Sequence, residues 1–443
     1  MKPLLFIETY GCQMNFADSE ILASILKEKY DTASDYAQAD LILVNTCSIR
    51  DHAEQRVFNR LKEFVALKKK RPGMKVGIVG CMAERLKEEL LASNLDIDLV
   101  VGPDAYRSLP RLLNEVEAGQ KGIDVILSND ETYQDIEPVR LGSNHISAFI
   151  SIMRGCQNFC AYCVVPYTRG KERSRAANTI VREAETLLEA GYREVTLLGQ
   201  NVNSYQADGV NFAELMRRVA SIDPGLRVRF STSHPKDLSD ELIAVMAAFP
   251  NICKAVHLPV QSGSSAMLAK MKRKYDREWY LGRIAAIREK IPDCGISTDI
   301  IAGFCGETEE DHRQTLSLMR EVGYDSAFMF KYSERPGTFA SKNYPDDIPE
   351  EVKLRRLNEI IGLQQQLSLE SNRRDVGKTF EILVEGVSKK NALQYFGRNS
   401  QNKVAVFDNP SLAGEKPKVS VGDYVKVKVE DCTAATLLGR LTE

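Results

Sequence analysis

Three short apolar runs, Leu4 to Tyr10, Leu41 to Asn45 and Val76 to Val79, alternate with longer stretches whose apolar residues recur at helical spacing, such as Ala17 to Lys29 and Ala53 to Lys69. Uninterrupted runs of that length, separated by amphipathic segments, predict buried strands covered by helices in an open α/β sheet. The pattern fades over a polar stretch with Gly122, Pro138 and Gly142, which reads as a linker. Beyond it, strand candidates return at His145 to Ile152, Glu194 to Leu198, Arg227 to Ser231, Ala255 to Val260, Gly295 to Ile301 and Ser326 to Tyr332, with helical stretches between them. About six β/α units fall short of the eight of a closed barrel, so a partial barrel with a lateral opening is expected. A helical stretch from Pro349 to Asp375 leads into FEILVEGV, QYFGRN, KVAVFD and VGDYVKVKVED, alternating runs parted by turns that predict a small all-β barrel. The expected fold class is thus α/β. An open parallel α/β domain spans 1–118, a linker 119–144, a partial (β/α)6 barrel 145–375 and a β-barrel 376–443.

A chain of 443 residues exceeds one hydrophobic core, in keeping with this division. The formal net charge of −2 excludes a general polycation, so any nucleic-acid surface must be local. No run of about 18 apolar residues appears, and the start MKPLLFIETYGC has neither the basic region nor the cleavage site of a signal peptide. The expectation is a cytoplasmic protein without a membrane segment. In a reducing compartment its ten cysteines read as metal ligands or core thiols rather than disulfides.

The cysteines are not scattered. Each of the first three runs ends at one, Cys12 in YGCQMN, Cys47 in NTCSIR and Cys81 in GCMAE, at steps of 35 and 34 residues, about one βαβ unit. Successive strands of a parallel sheet point the same way, so the three thiols should gather at the sheet edge where such folds bind ligands. A second trio, Cys156, Cys160 and Cys163, forms a CxxxCxxC loop beside Tyr162. A closed zinc site takes four ligands and iron–sulfur clusters are usually held by four thiolates, so each trio leaves one metal position for something else. A zinc loop completed by a distant Cys or His is the competing reading of the second trio. The basic residues Arg169, Lys171, Arg173 and Arg175 after it suggest a small ligand carrying a carboxylate, and the run Lys270 to Lys274 suits either phosphates or solvent.

Other features read as structural. Asp18 and Asp51 open helical patterns as first-turn acids, and Lys68 to Arg71 closes a helix. His234, His257, Cys253, Cys294 and Cys305 are expected as satisfied or buried groups, and Phe328, Phe330 and Tyr332 as one face of the last strand, in the core. The strand-end segments GQNVNS (199–204), STSHP (231–235), LPVQSGS (258–264) and STDIIAGFCGET (297–308) supply neutral amides, hydroxyls and backbone groups, as a catalytic face does.

At RGCQNFCAYC the chain resembles the radical S-adenosylmethionine (SAM) superfamily, and IIAGFCGETEE and LLGQN resemble that superfamily's SAM-contacting segments. GRNSQNKVAVF followed by GDYVKVKV resembles the TRAM domain. With YGCQMNFADSE, NTCSIRDHAEQRVF and RGCQNFCAYCVVPYTRGKERSR, the chain resembles the radical SAM methylthiotransferase family along nearly its whole length, closest to members acting on tRNA. The resemblance implies two 4Fe-4S clusters, one on Cys156, Cys160 and Cys163 that reduces SAM to a 5'-deoxyadenosyl radical, the other on Cys12, Cys47 and Cys81 that carries the sulfur. The polar strand ends and the loop aromatic offer Gly199, Gln200, Asn201, Ser233, Gln261, Asp299, Gly303 and Tyr162 as candidate SAM contacts, and the basic positions Arg169, Lys171, Arg173, Lys272, Arg273 and Arg398 are candidate RNA contacts. The implied reaction converts an N6-prenylated adenosine in a tRNA anticodon stem-loop to its 2-methylthio derivative, and needs an electron donor and a sulfur donor. A monomer is expected. Competing readings are sister activities on a ribosomal-protein aspartate or a threonylcarbamoyl adenosine, and a non-enzymatic RNA-binding protein with structural zinc.

Overall fold

Leu41–Thr46, LILVNT, is buried at every position, which a strand achieves only when both faces of its sheet are covered. It lies at the heart of the first of two compact units, Met1–Leu141 with Phe149–Phe159 and Cys163–Thr179; the second is Gly142–Ala148 with Cys160–Tyr162 and Ile180–Glu443. The computed structural model describes residues 1–47, 51–92, 95–142, 144–409 and 419–442. The NTCSIR turn beyond Cys47 and the capping role of Asp51 lie outside the described residues and side chains.

The first unit is a six-stranded sheet in the order Asp31–Thr32, Leu4–Thr9, Leu41–Thr46, Lys75–Gly80, Leu99–Val101, Gly122–Asp124, parallel throughout. Alternation sends Leu41 and Leu43 to one face, against Leu22, Leu26 and Leu109, and Ile42 and Val44 to the other, against Leu61 and Phe64. The expected open parallel sheet is present, and the three strands that precede Cys12, Cys47 and Cys81 are immediate neighbours in it. Residues 119–141 of the stretch read as a linker are part of this unit: Gly122–Asp124 is its edge strand, and Tyr133 is buried, stacked on Tyr106 with its hydroxyl donating to Pro103 O at 3.0 Å. Its polar composition hid a segment that earns its place through one aromatic.

In the second unit Arg227–Ser231 pairs with Glu194–Leu198 in one sheet, and Ala255–His257, Gly295–Ala302 and Ser326–Lys331 form another, while the strand expected at His145 to Ile152 runs Ser147–Ser151. A parallel bridge between Val228 and Ile252 continues the first toward the second, and the pairings within them at Glu194–Leu198, Gly295–Ala302 and Ser326–Lys331 are parallel, the partial barrel anticipated. Tyr332 joins the core with Phe304, Met267 and Met271, but Phe328 is 53% exposed, edge-on to His257, so the aromatic face of the last strand is only partly interior. Cys253, Cys294 and Cys305 are buried as expected. Helix Glu350–Arg373 packs on the last strand, Gln364 Nε2 donating to Tyr324 O at 2.9 Å.

The tail closes into a five-stranded barrel in the order Thr379–Val387, Gln394–Arg398, Val404–Asp408, Leu437–Leu441, Tyr424–Cys432. The last strand in sequence, Leu437–Leu441, had no place in the expected set, and it supplies the parallel pairing that shuts the ring. The barrel seats on the starts of the larger unit's strands. Tyr424 OH donates to Arg193 O and Gly225 O at 3.0 Å, Arg229 Nη2 to Asn399 O at 2.8 Å, and Lys254 N to Ser400 Oγ at 2.8 Å. No helix among the described residues is long and apolar enough to cross a membrane.

The barrel's own core includes Phe407, Ile382, Val384, Val427 and Leu437. Phe407→Ala should cost about 3–5 kcal/mol of stability, read as a lower urea midpoint; an unchanged midpoint would contradict a separately packed core.

Candidate active site

Each early cysteine stands where a strand turns into the next element. Cys12 is the N-cap of helix Gln13–Leu26, its carbonyl accepting from Asn15 N at 3.0 Å and its thiol donating to Asn15 Oδ1 at 3.2 Å. Cys47 directly follows Leu41–Thr46, and Cys81 opens helix Cys81–Leu86. Two buried amides lock the first two turns together: Asn15 Nδ2 donates to Asn45 Oδ1 at 3.1 Å and Thr46 O at 3.0 Å, and Asn45 Nδ2 returns to Asn15 O at 2.7 Å. A hydrogen bond with Cys47 pulls the Cys12 thiol down to about 6 against the cost of burial, with the charge of Arg169 assisting. Burial pushes the Cys81 thiol up, and Arg169 opposes it.

Arg169 therefore does not face RNA. It is buried, donating Nε–H to Cys81 Sγ at 3.1 Å and Nη2–H to Asp18 Oδ2 at 2.8 Å. Asp18 is no cap either: the helix begins five residues before it, and its fully buried carboxylate also takes Arg154 Nη1 at 2.8 Å. Burial alone would raise its carboxyl, but the two guanidiniums hold it below the ordinary value. Arg173 is likewise spent inside, on both oxygens of Asp104 at 2.8 and 2.9 Å. Of this loop's candidates for RNA, Lys171 alone is exposed.

In the CxxxCxxC loop, Gly155 has φ +77° and lies against the carbonyls of Lys171 and Gly170, where a Cβ would collide. That approach lets Cys156 N donate to Gly170 O at 3.1 Å. Within the second unit, Ala161 is bonded on both sides, its N to Met271 O at 2.9 Å and its O from Ala340 N at 2.7 Å. Arg273, expected on RNA, is buried there, donating to Cys160 Sγ and to the Tyr162 hydroxyl at 3.3 Å each and to Pro259 O at 2.7 Å. Each cysteine trio thus has one thiol bound by a buried guanidinium. Lys272 remains half-buried over the Phe339 ring, and Arg398 pairs with Glu385 at 3.2 Å while staying half-exposed.

The strand ends of the second unit carry the other expected residues. Gly199 N donates to Ser231 O at 3.2 Å; Asn201 is spent on Asp237 at 2.7 Å and on the backbone of His234 at 3.0 Å. Gln261 N bonds Asp299 O at 2.8 Å, and Asp299 stands 3.4 Å from His257. Gly303 N donates to Glu307 at 2.8 Å. By contrast Gln200 Oε1, the Asn203 amide, Ser233 Oγ and His234 Nε2 are shielded from solvent with no hydrogen-bond partner. Burial, then Arg273 and two lysines, drive the His234 imidazole down to about 2, so it is neutral. Orphaned acceptors and donors at strand ends are what a polar ligand such as SAM would satisfy.

Among the described residues no three His, Cys, Asp or Glu side chains converge as a ready-made metal site. The trios offer thiols, four of the six buried, with a cationic N–H group directed at one sulfur in each, a donor set that suits iron–sulfur ligation.

Residues 4–102 match the uncharacterized protein family UPF0004, 150–319 the radical SAM superfamily and 373–442 the TRAM domain. A protein of Phocaeicola vulgatus named tRNA-2-methylthio-N(6)-dimethylallyladenosine synthase is 60% identical over 441 residues, covering 98% of this chain and 95% of that one. A protein of the same name from Porphyromonas gingivalis is 55% identical, covering 99% and 95%. Among solved structures, the radical SAM methyltransferase TsrM of Kitasatospora setae superposes with a TM-score of 0.59 at 15% identity, over 77% of this chain and 75% of that one, a likeness of fold.

The buried charges can be tested directly. Asp18→Asn leaves two interior guanidiniums without their carboxylate and should cost about 3–5 kcal/mol, whereas Arg111→Ala, which removes a surface pair with Glu115, should change stability by less than about 0.5 kcal/mol. Urea unfolding of the two variants compares them, and equal shifts would deny Asp18 its role.

Proposed function

The chain belongs to the tRNA-2-methylthio-N(6)-dimethylallyladenosine synthase family, and from that membership we propose how its residues divide the work. It is a radical SAM enzyme of the methylthiotransferase class, converting N6-prenylated adenosine in tRNA to the 2-methylthio derivative with SAM and a 4Fe-4S cluster as cofactors. Cys156, Cys160 and Cys163 hold that cluster, and Cys12, Cys47 and Cys81 hold a second that carries the sulfur. The observation behind the second assignment is that three neighbouring strands end in cysteines, one of them bonded by an arginine six residues past the CxxxCxxC loop. When bound, cluster and SAM supply the radical that removes hydrogen from C2, a bond beyond the reach of any side-chain base.

The protein's share is placement. Arg273 donates to Cys160 and Tyr162 and ties both to Pro259 O, fixing the loop against the sheet of its unit. Gln200, Asn203 and Ser233 offer SAM the polar atoms left without partners, and Gly199, Asn201, Gln261, Asp299 and Gly303 shape the backbone around them. Lys171, Lys272 and Arg398, the candidates that are not fully buried, serve the phosphates of an anticodon stem-loop, with single-stranded bases read by stacking. A reductant and a sulfur source complete the reaction.

Anaerobic reconstitution should give about eight irons per chain, two cubane clusters. Cys160→Ala should abolish 5'-deoxyadenosine formation. Cys47→Ala should spare it while ending 2-methylthio formation on a prenylated stem-loop, read by nucleoside mass; loss of both in Cys47→Ala would make the early site structural.

A further inference from the structure

Among the described residues, the interior of the first unit sets three guanidiniums, Arg154, Arg169 and Arg173, against two carboxylates, Asp18 and Asp104. Arg169 keeps an unmet donor beside a cysteine. Nη2 is satisfied by Asp18 and Nε by Cys81, but Nη1 is buried without an acceptor. A planar guanidinium with two nitrogens fixed has no freedom to turn the third toward solvent. A sulfur anion beside Cys81 would accept from that donor.

We propose that Arg169 is a positioning residue of the early cluster, its Nε–H holding Cys81 as a ligand and its Nη1–H serving an inorganic sulfur of that cluster. This rests on the assignment of a cluster to Cys12, Cys47 and Cys81. Hydrogen bonds and positive charge at sulfur stabilise the more negative, reduced state of an iron–sulfur cluster. Arg169 also lies on Val165–Arg169, the helix that follows Cys163. The segment bearing one trio therefore sets the electrostatics of the other.

The test uses the full chain with Cys156, Cys160 and Cys163 replaced by Ala, so that only the early cluster remains, reconstituted anaerobically with iron and sulfide. Iron and sulfide content are measured, then the midpoint potential by electron paramagnetic resonance during dithionite titration. Arg169→Gln should move the potential to more negative values, and Arg169→Lys, which keeps the charge, should move it less. Asp18→Asn combined with Arg169→Gln removes the stranded carboxylate and should show the same negative shift in a folded chain. An unchanged potential with full iron in both Gln variants would overturn the proposal. So would the absence of nitrogen coupling to the reduced cluster in the parent chain labelled with 15N-arginine, a measurement that needs no Arg169 variant. Absence of iron from the parent chain is a different failure: it removes the second cluster itself, before Arg169 is touched.

Discussion

Asp18 is the point on which the first unit's chemistry hangs. A carboxylate at 0% exposure is tolerable only because two guanidiniums bracket it, and those guanidiniums come from residues 136 and 151 positions away. Arg154 precedes the CxxxCxxC loop and Arg169 follows it, so one carboxylate on the helix behind Cys12 grips both flanks of that loop. Removing either partner strands a charge in a medium that cannot solvate it, which makes the arrangement close to all-or-none. Ion pairs at the surface of the same chain, such as Arg111 with Glu115, have no such hold.

The sequence made one half of this visible. Cysteines at 34- and 35-residue steps after apolar runs imply neighbouring parallel strand ends, because the period of the βαβ unit and the direction of a parallel sheet leave little choice. The six strand candidates of the middle region were legible for the same reason, as repeats of a pattern. What a single chain hides is whether a charge points in or out. Arg169, Arg173 and Arg273 sit in short polar runs that look solvated, and only their partners, far off in sequence, bury them. Asp18, one residue into the apparent helical run from Ala17, was indistinguishable from a cap. Gly122–Asp124 and Leu437–Leu441 escaped because short edge and closing strands owe their form to the neighbours they pair with.

Each unit holds a cluster of side-chain amides at its strand ends, and the two clusters differ. In the first, Asn15 and Asn45 satisfy one another, so the turns around Cys12 and Cys47 are prefixed before any ligand arrives. In the second, Gln200, Asn203, Ser233 and His234 keep atoms in reserve. The first cluster is complete without a ligand, and the second is not.

The seating of the small barrel carries a geometric consequence. Tyr424, Asn399 and Ser400 clamp it to the strand starts, beside Arg193, Gly225 and Lys254, whereas the orphaned polar atoms lie past the opposite tips of those strands. A five-residue strand such as Arg227–Ser231 spans roughly 16 Å, so a lone nucleoside cannot touch both ends. A ligand that touched both the barrel and those strand ends would therefore have to span about that length.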